Sequence, residues 1–129
     1  MQSRADHKKL ELMEQLNRID LRGNVGSIRI INAGDSRVAK ISLATNYVYK
    51  NRDGDPVIET TWHNVTAWEG KNIVDLDAIQ RGDKLFASGR LRMQRFVGAD
   101  GLEHTAYDVL ARTLQLVPGE DSLQYESMC

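Results

Sequence analysis

Cysteine is almost missing from this chain of 129 residues. The single one, Cys129, is the last residue, which excludes an internal disulfide framework and suits a reducing compartment. Long apolar runs are missing too: no stretch approaches the roughly 18 consecutive apolar residues of a membrane span. The N-terminal "MQSRADHKK" lacks the apolar core of a secretory signal. A cytoplasmic protein with no membrane partner is the expectation these exclusions leave. An excess of positive charge is also missing, since the net charge is −1. Bulk charge therefore speaks against a strongly basic nucleic-acid binder, but the distribution of charge weakens that exclusion. Residues 1–16 hold three basic and three acidic side chains and residues 118–129 hold none and three, so 17–117 carry 14 basic against 12 acidic, or +2. Local arrangement matters more than so small a sum. What remains is ordinary for a soluble globular chain: 41% hydrophobic and 27% charged residues, in a length that suits one domain with a real core.

The chain divides legibly. Ser3 and Asp6 make a start resembling a capping box before "ADHKKLELMEQL", and Leu10, Met13 and Leu16 give a narrow apolar seam, so a short helix is expected at 4–16. From Arg18 the pattern turns to strands. "RIDLRGNVGSIRII" is one, interrupted by Gly23 and Gly26. "RVAKISLATNYVYK" alternates over a long run, "NRDGDP" supplies an Asp-Gly hairpin turn, and "VIETTWHNVTAW" returns as its partner. "KNIVDLDAIQRG" is helical in composition and stops at Gly82. "DKLFASGRLRMQRF" and "HTAYDVLARTLQLV" are two more strands, joined by "VGADG". Pro118 ends the order, leaving 118–129 as a short tail after a domain at 17–117. Three strands, a helix and two strands in about 100 residues is the order of an OB-fold, an all-β five-stranded Greek-key barrel with minor α content. An SH3-like barrel is the main competitor, but it usually lacks a helix at that point.

No catalytic constellation stands out. His7, His63 and His104 are far apart in sequence and show no metal-ligand spacing with Cys129. Asp75 and Asp77 stand two residues apart, which does not bring them to one face of a helix. "GNVG" and "GSIR" lack the Lys-Ser or Lys-Thr that completes a phosphate loop. No enzyme, metal or cofactor is expected.

Aromatic residues mixed with basic ones do stand out. In the extended stretch 60–68, Thr61, His63, Val65 and Ala67 share one face and Thr60, Trp62, Asn64, Thr66 and Trp68 the other. Asn64 and Thr66 are poor core residues, so both tryptophans stand on the solvent side as flat plates. Farther on, Phe86, Ser88, Arg90, Arg92, Gln94 and Phe96 share a face opposite Leu85, Ala87, Leu91 and Met93, with Arg95 alongside. Tyr47 and Tyr49 precede Lys50 and Arg52, and Lys71 follows Trp68. Exposed rings stack on bases of any sequence, and neighbouring cations pair with phosphates. Taken singly, a strand Tyr or Phe is more often core, and Tyr49 shares parity with the core-like Ile41 and Leu43.

The segments "RGNVG" at 22–26, "ISLAT" at 41–45, "TTWHNVTAWEGK" at 60–71 and "SGRLRMQRF" at 88–96 resemble, in order and spacing, the bacterial single-stranded DNA-binding protein family. The resemblance covers about residues 17–117. It implies base stacking on Tyr49, Trp62, Trp68 and Phe96, with Tyr49 and Phe96 where many members carry tryptophan. It implies phosphate contacts from Arg29, Arg52, Lys71, Arg81, Arg92 and Arg95. His63 matches a histidine associated with packing in the family's homotetramers. Sequence-independent protection of single-stranded DNA in replication, recombination or repair, in the cytoplasm on the nucleoid, is the implied role. For Tyr49 the resemblance, not the alternation, assigns the ligand face. Two departures stand against the pattern. The chain stops at "EDSLQYESMC" without the family's acidic Pro-Phe tip, which puts tail-dependent protein partners in doubt. The N-terminal extension is unusual and is expected to cap the barrel or add to an oligomer contact. Two other classes stay open: a primosome accessory OB-fold of the primosomal replication protein N type, and a protein-binding OB-fold adaptor with Trp62 and Trp68 as its hot spot.

Overall fold

A computed structural model of the protein describes residues 14–118. Five strands carry the sequence alternation into a closed barrel: β1 (Ile19–Ala33), β2 (Ser36–Lys50), β3 (Pro56–Trp68), β4 (Lys84–Val97) and β5 (Glu103–Leu116). Their order around the wall is β1-β2-β3-β5-β4. The β3–β5 contact is parallel and the others are antiparallel, as expected of an OB-fold-like barrel. Alternate residues point inward, and Leu21, Val25, Ile41, Leu43, Val65, Leu85, Val109 and Leu114 fill the interior.

Two glycines allow the wall to bend. A Cβ at Gly23 would run into the carbonyl oxygen of Ala44, and one at Gly89 into that of Leu110. Gly26 has a different use. The β1–β2 register shifts between Val25 and Ser27, so Gly26 is the extra residue of a bulge. The bulge inverts the alternation. Val25 points inward before it, and Ile28 and Ile30 pack on the core after it, which turns Ser27, Arg29 and Ile31 outward.

Both long hairpins outrun the barrel. The β2–β3 ladder continues to Lys50↔Pro56 and the β4–β5 ladder to Val97↔Glu103, where no third strand pairs with either. Each projects as a two-stranded ribbon. The chain enters beside the second of these: the Asn17 carboxamide donates to the Leu91 carbonyl at 2.7 Å and accepts from the Leu91 N–H at 3.0 Å. The Asn17 side chain thereby ties the entering chain to β4 two residues beyond the last β1–β4 pair, Ile19↔Gly89.

The helix expected between β3 and β4 is absent and is corrected here. Residues 72–74 instead lie along the edge of β5: Val74 N–H donates to the Leu114 carbonyl, Leu114 N–H to that of Asn72, and Ile73 bridges Leu114. Only one 3₁₀ turn follows, Leu76–Ala78, capped by the Asp75 carboxylate. Asn, Ile, Val and two Asp residues are mediocre helix formers. The free edge of β5 offers their backbone better partners, and Leu76 and Ile79 still reach the core. The helix expected at 4–16 lies, up to residue 13, outside the described residues. Glu14 is a turn and 15–17 are irregular.

Candidate nucleic-acid interface

The register of β1, β2 and β3 arranges their outward side chains in transverse rows, because residues directly opposite one another share a face. Ala44 lies opposite Trp62. The next row is Ser27, Ser42 and Asn64; then come Arg29, Lys40 and Thr66; then Ile31, Val38 and Trp68. Rows are two residues apart, about 7 Å, so the tryptophans stand about 20 Å apart along β3. An aromatic plate, a neutral polar row, a cationic row and a second aromatic plate follow in order. Trp62 is 59% exposed and Trp68 44%.

The bulge serves the first plate. The six-membered ring of Trp62 lies over Gly26, where a Cβ would meet Cη2 at 2.8 Å and its neighbouring ring carbon closer still. The indole can therefore lie flat across the sheet only because β1 has no side chain there. Gly26→Ala is expected to lift the ring and weaken binding of single-stranded oligo(dT) about fivefold, equivalent to about 1 kcal/mol of lost stacking. Fluorescence titration reads both the altered Trp62 environment and the affinity, with circular dichroism unchanged. Unchanged emission and affinity would mean that the ring's seat is unimportant.

Phe96, half exposed, lies near the end of the β4–β5 ribbon on the same side as Arg92. Its ring is not bare: His104, directly across the ladder, stacks on it at 5.5 Å and 26°, and Asp100 holds the imidazole at 2.9 Å. The His104 hydrogen bond is the main cause that holds the Asp100 carboxyl below its ordinary range, with the Leu102 N–H adding to it. Tyr49 keeps the parity of the barrel interior, so it lies on the opposite face of the β2–β3 ribbon from Trp62. There it stacks with Tyr47 at 6.0 Å. Trp62, Trp68 and Phe96 thus share the outer side, and Tyr49 does not.

The cations divide similarly. Arg29 is exposed in the cationic row. Arg92 is committed: it donates to Asp108 through Nε at 3.0 Å and Nη2 at 2.8 Å, with both side chains mostly buried. Asp108 also accepts from the Thr66 hydroxyl at 2.6 Å, and Lys40 Nζ donates to that hydroxyl at 3.1 Å. This chain of contacts crosses from β2 through β3 to the ribbon and fixes the ribbon's slope over the barrel. The Arg92 hydrogen bonds hold the Asp108 carboxyl below the ordinary carboxylate range, against the upward push of burial and with help from Thr66. Arg95 lies on the other face of the ribbon from Phe96. Arg52 is in the β2–β3 turn, Lys71 follows β3, and Arg81 precedes β4; all three are exposed. His63 faces inward, half-buried, with Nε2 2.8 Å from the Thr45 hydroxyl.

Sequence reasoning missed Lys40, Asp108, His104 and the seating role of Gly26. Lys40 was within its reach, since it shares the outward parity of Ser42. The Phe96–His104 pair needed only the hairpin register. Asp108 lies across two strands that are distant in sequence and left no local signal.

Residues 16–117 match the model of the single-strand binding protein family. The single-stranded DNA-binding protein of Neisseria meningitidis is 29% identical over 109 residues, which cover 82% of this chain. That alignment spans 62% of the relative, so the chain covers somewhat under two thirds of the length of the relatives it matches in this way. The mitochondrial single-stranded DNA-binding protein of Danio rerio is 25% identical over 84% of this chain and 80% of its own. Among solved structures, a Plasmodium falciparum SSB complex with ssDNA superposes with a TM-score of 0.62 at 30% identity, covering 80% of this chain and 94% of that one. A deletion mutant of the Thermus aquaticus single-stranded DNA binding protein gives 0.67 at 19% identity, over 81% of this chain and 52% of the other, a likeness of fold.

Proposed function

The chain belongs to the single-strand binding protein family, and from that premise we propose that it binds and protects single-stranded DNA. The observation that carries this reading is the pair of exposed tryptophans on one strand face, with a cationic row between them. Unstacked bases lie against Trp62, Trp68 and the free side of Phe96, and Arg29 takes phosphate. Arg52, Lys71, Arg81 and Arg95 extend the cationic track, and Tyr49 receives the strand where it rounds the ribbon edge. Arg92 acts chiefly through Asp108, holding Phe96 in position. Stacking accepts every base, so binding is largely sequence-tolerant. The barrel at 17–117 is the DNA-binding unit, and four copies, with His63 near a subunit contact, supply the surface a long strand requires.

Oligo(dT) is expected to quench tryptophan emission strongly, and duplex of equal length hardly at all, because base faces are open only in the single strand. Repeated at rising salt, the titration should give a log–log slope of about −0.7 for each phosphate contact. Equal quenching by duplex would replace stacking with bulk electrostatics. Salt-independent affinity, or none, would favour a protein-binding adaptor.

A further inference from the structure

We propose that His104 is a DNA-contacting residue, and that strand binding at the tip of the β4–β5 ribbon draws a proton from solvent onto it. This rests on the single-stranded DNA reading above, in which a base lies against the free side of Phe96. The turn at 98–102 is built around the imidazole. A Cβ at Gly98 would meet its Cδ2 at 2.6 Å and its Nε2 at 2.7 Å, so the ring lies there only over a glycine. Phe96 flanks it from the facing strand at 5.5 Å. The Asp100 carboxylate accepts from Nε2 at 2.9 and 3.0 Å, and is itself fixed by the Leu102 N–H at 3.0 Å. The ring is thus held in one place although the side chain is nearly half exposed.

An ionised carboxylate accepts hydrogen bonds and cannot donate, so Nε2 carries a proton and Nδ1 is the nitrogen left to gain one. Nδ1 has no hydrogen-bond partner among the described residues. It accepts while the ring is neutral and donates once the ring is protonated. Asp100 stays ionised throughout the range in which histidine changes charge, because the His104 contact holds its carboxyl below its ordinary value. The pair therefore bears one negative charge with a neutral ring and none with a protonated ring. Its nearest neighbours on the same face of the ladder, Phe96, Gln94 and Ala106, are uncharged. Arg95 and Glu103 stand on the other face of the ribbon. Farther back, beside the groove between the ribbon and the barrel face, Arg92 is already paired with Asp108. A phosphate next to the base on Phe96 thus meets a negative pair at high pH. At low pH it meets a neutral pair with an N–H to offer. The strand binds the protonated form more tightly, and by linkage its binding favours protonation.

The test titrates the full chain, His104→Phe and Asp100→Asn with labelled oligo(dT), read by anisotropy at pH 6 and pH 8 and at one salt concentration. The quantity compared is the ratio of the two affinities. Thymine keeps one protonation state between these pH values, and His63 is present in every chain, so its effect cancels between variant and parent. The parent is expected to bind about fivefold more tightly at pH 6, the effect of one charge several ångströms away in largely aqueous surroundings. His104→Phe keeps a ring beside Phe96 but removes the titrating group, and should reduce the ratio to under about twofold. Asp100→Asn removes the negative charge at both pH values and should bind about threefold more tightly than the parent at pH 8. An equal ratio in the parent and His104→Phe would overturn the proton-linked contact and leave the stacking model intact. An Asp100→Asn chain that binds no more tightly than the parent at pH 8 would do the same. A parent chain that binds no oligo(dT) at either pH would overturn both readings. Melting curves at both pH values confirm that each variant is folded.

Discussion

Replacing Trp62 and Trp68 together with alanine is expected to lower affinity for oligo(dT) by at least about 30-fold. Each plate contributes about 1–3 kcal/mol of stacking, and every 1.4 kcal/mol is tenfold. At about 20 Å apart the two plates contact different bases, so their losses should add. Each single variant should then cost about fivefold or more. Stability should hardly move. Both indoles lie on the outer face, and the interior beneath them is filled by Leu43, Val65 and Ala67. Anisotropy of a labelled oligomer supplies the readout once the tryptophans are gone, with the melting temperature as control. An affinity within twofold of the parent, and still steeply salt-dependent, would mean that cations alone hold the strand.

The setting of the two tryptophans was unevenly legible. Alternation found all five strands almost to their ends, since Ile41, Leu43, Val65, Leu85 and Leu114 must face inward wherever the register falls. It also put Trp62 and Trp68 on the wet face. Composition misled between β3 and β4, because a segment's local preference says nothing about the edge of β5, where Leu114 is distant from residues 72–74 in sequence yet adjacent in space. The same limit hid the partner of Arg92. A basic residue on a polar face reads as available, but Asp108 and Thr66 arrive only through the β4–β5 ladder and the parallel β3–β5 contact. Tyr49 shows two signals in conflict. The resemblance assigns it to the ligand, and alternation puts it on the other face of the ribbon from Trp62. The backbone follows the alternation, so a strand touching both must pass around the ribbon edge.

The electrostatics follow from the same contacts. A net charge of −1 gives no general attraction for DNA, so the proposed binding would rest on rows of local charge. The protein spends several cations internally. Arg37 is bound by Asp77 at 3.0 Å and Glu69 at 3.1 Å, which raises its pKa further and closes the start of β2 onto the loop after β3. Arg92 is spent on Asp108. Arg29 and Arg52 remain exposed, and the proposed reading assigns the attraction to such cations.

Asp108→Asn puts this division to its strongest test. The carboxylate is 11% exposed and its Arg92 partner 23%. Removing the negative charge leaves a mostly buried guanidinium without its counter-ion, a change expected to cost about 2–4 kcal/mol. For a domain of this size that is a fall in melting temperature on the order of 10 °C. The sign of the pH dependence follows from the lowered pKa. A carboxyl whose folded pKa lies below the ordinary 3.8 stabilises the fold at all pH values above 3.8. That contribution disappears as pH falls through the folded value. The parent should therefore lose stability below about pH 4, and Asp108→Asn should lack that part of the acid transition. Binding should change in a way that simple unfolding does not produce. With Arg92 and Lys40 released toward the groove, the log affinity against log salt slope for oligo(dT) should steepen by about 0.7, one additional phosphate contact. Melting curves between pH 3 and 7 and titrations at several salt concentrations read the two effects separately. An unaltered melting temperature would mean the ion pair contributes nothing to the fold. A stable variant with an unaltered slope would mean that Arg92 was never withheld from DNA.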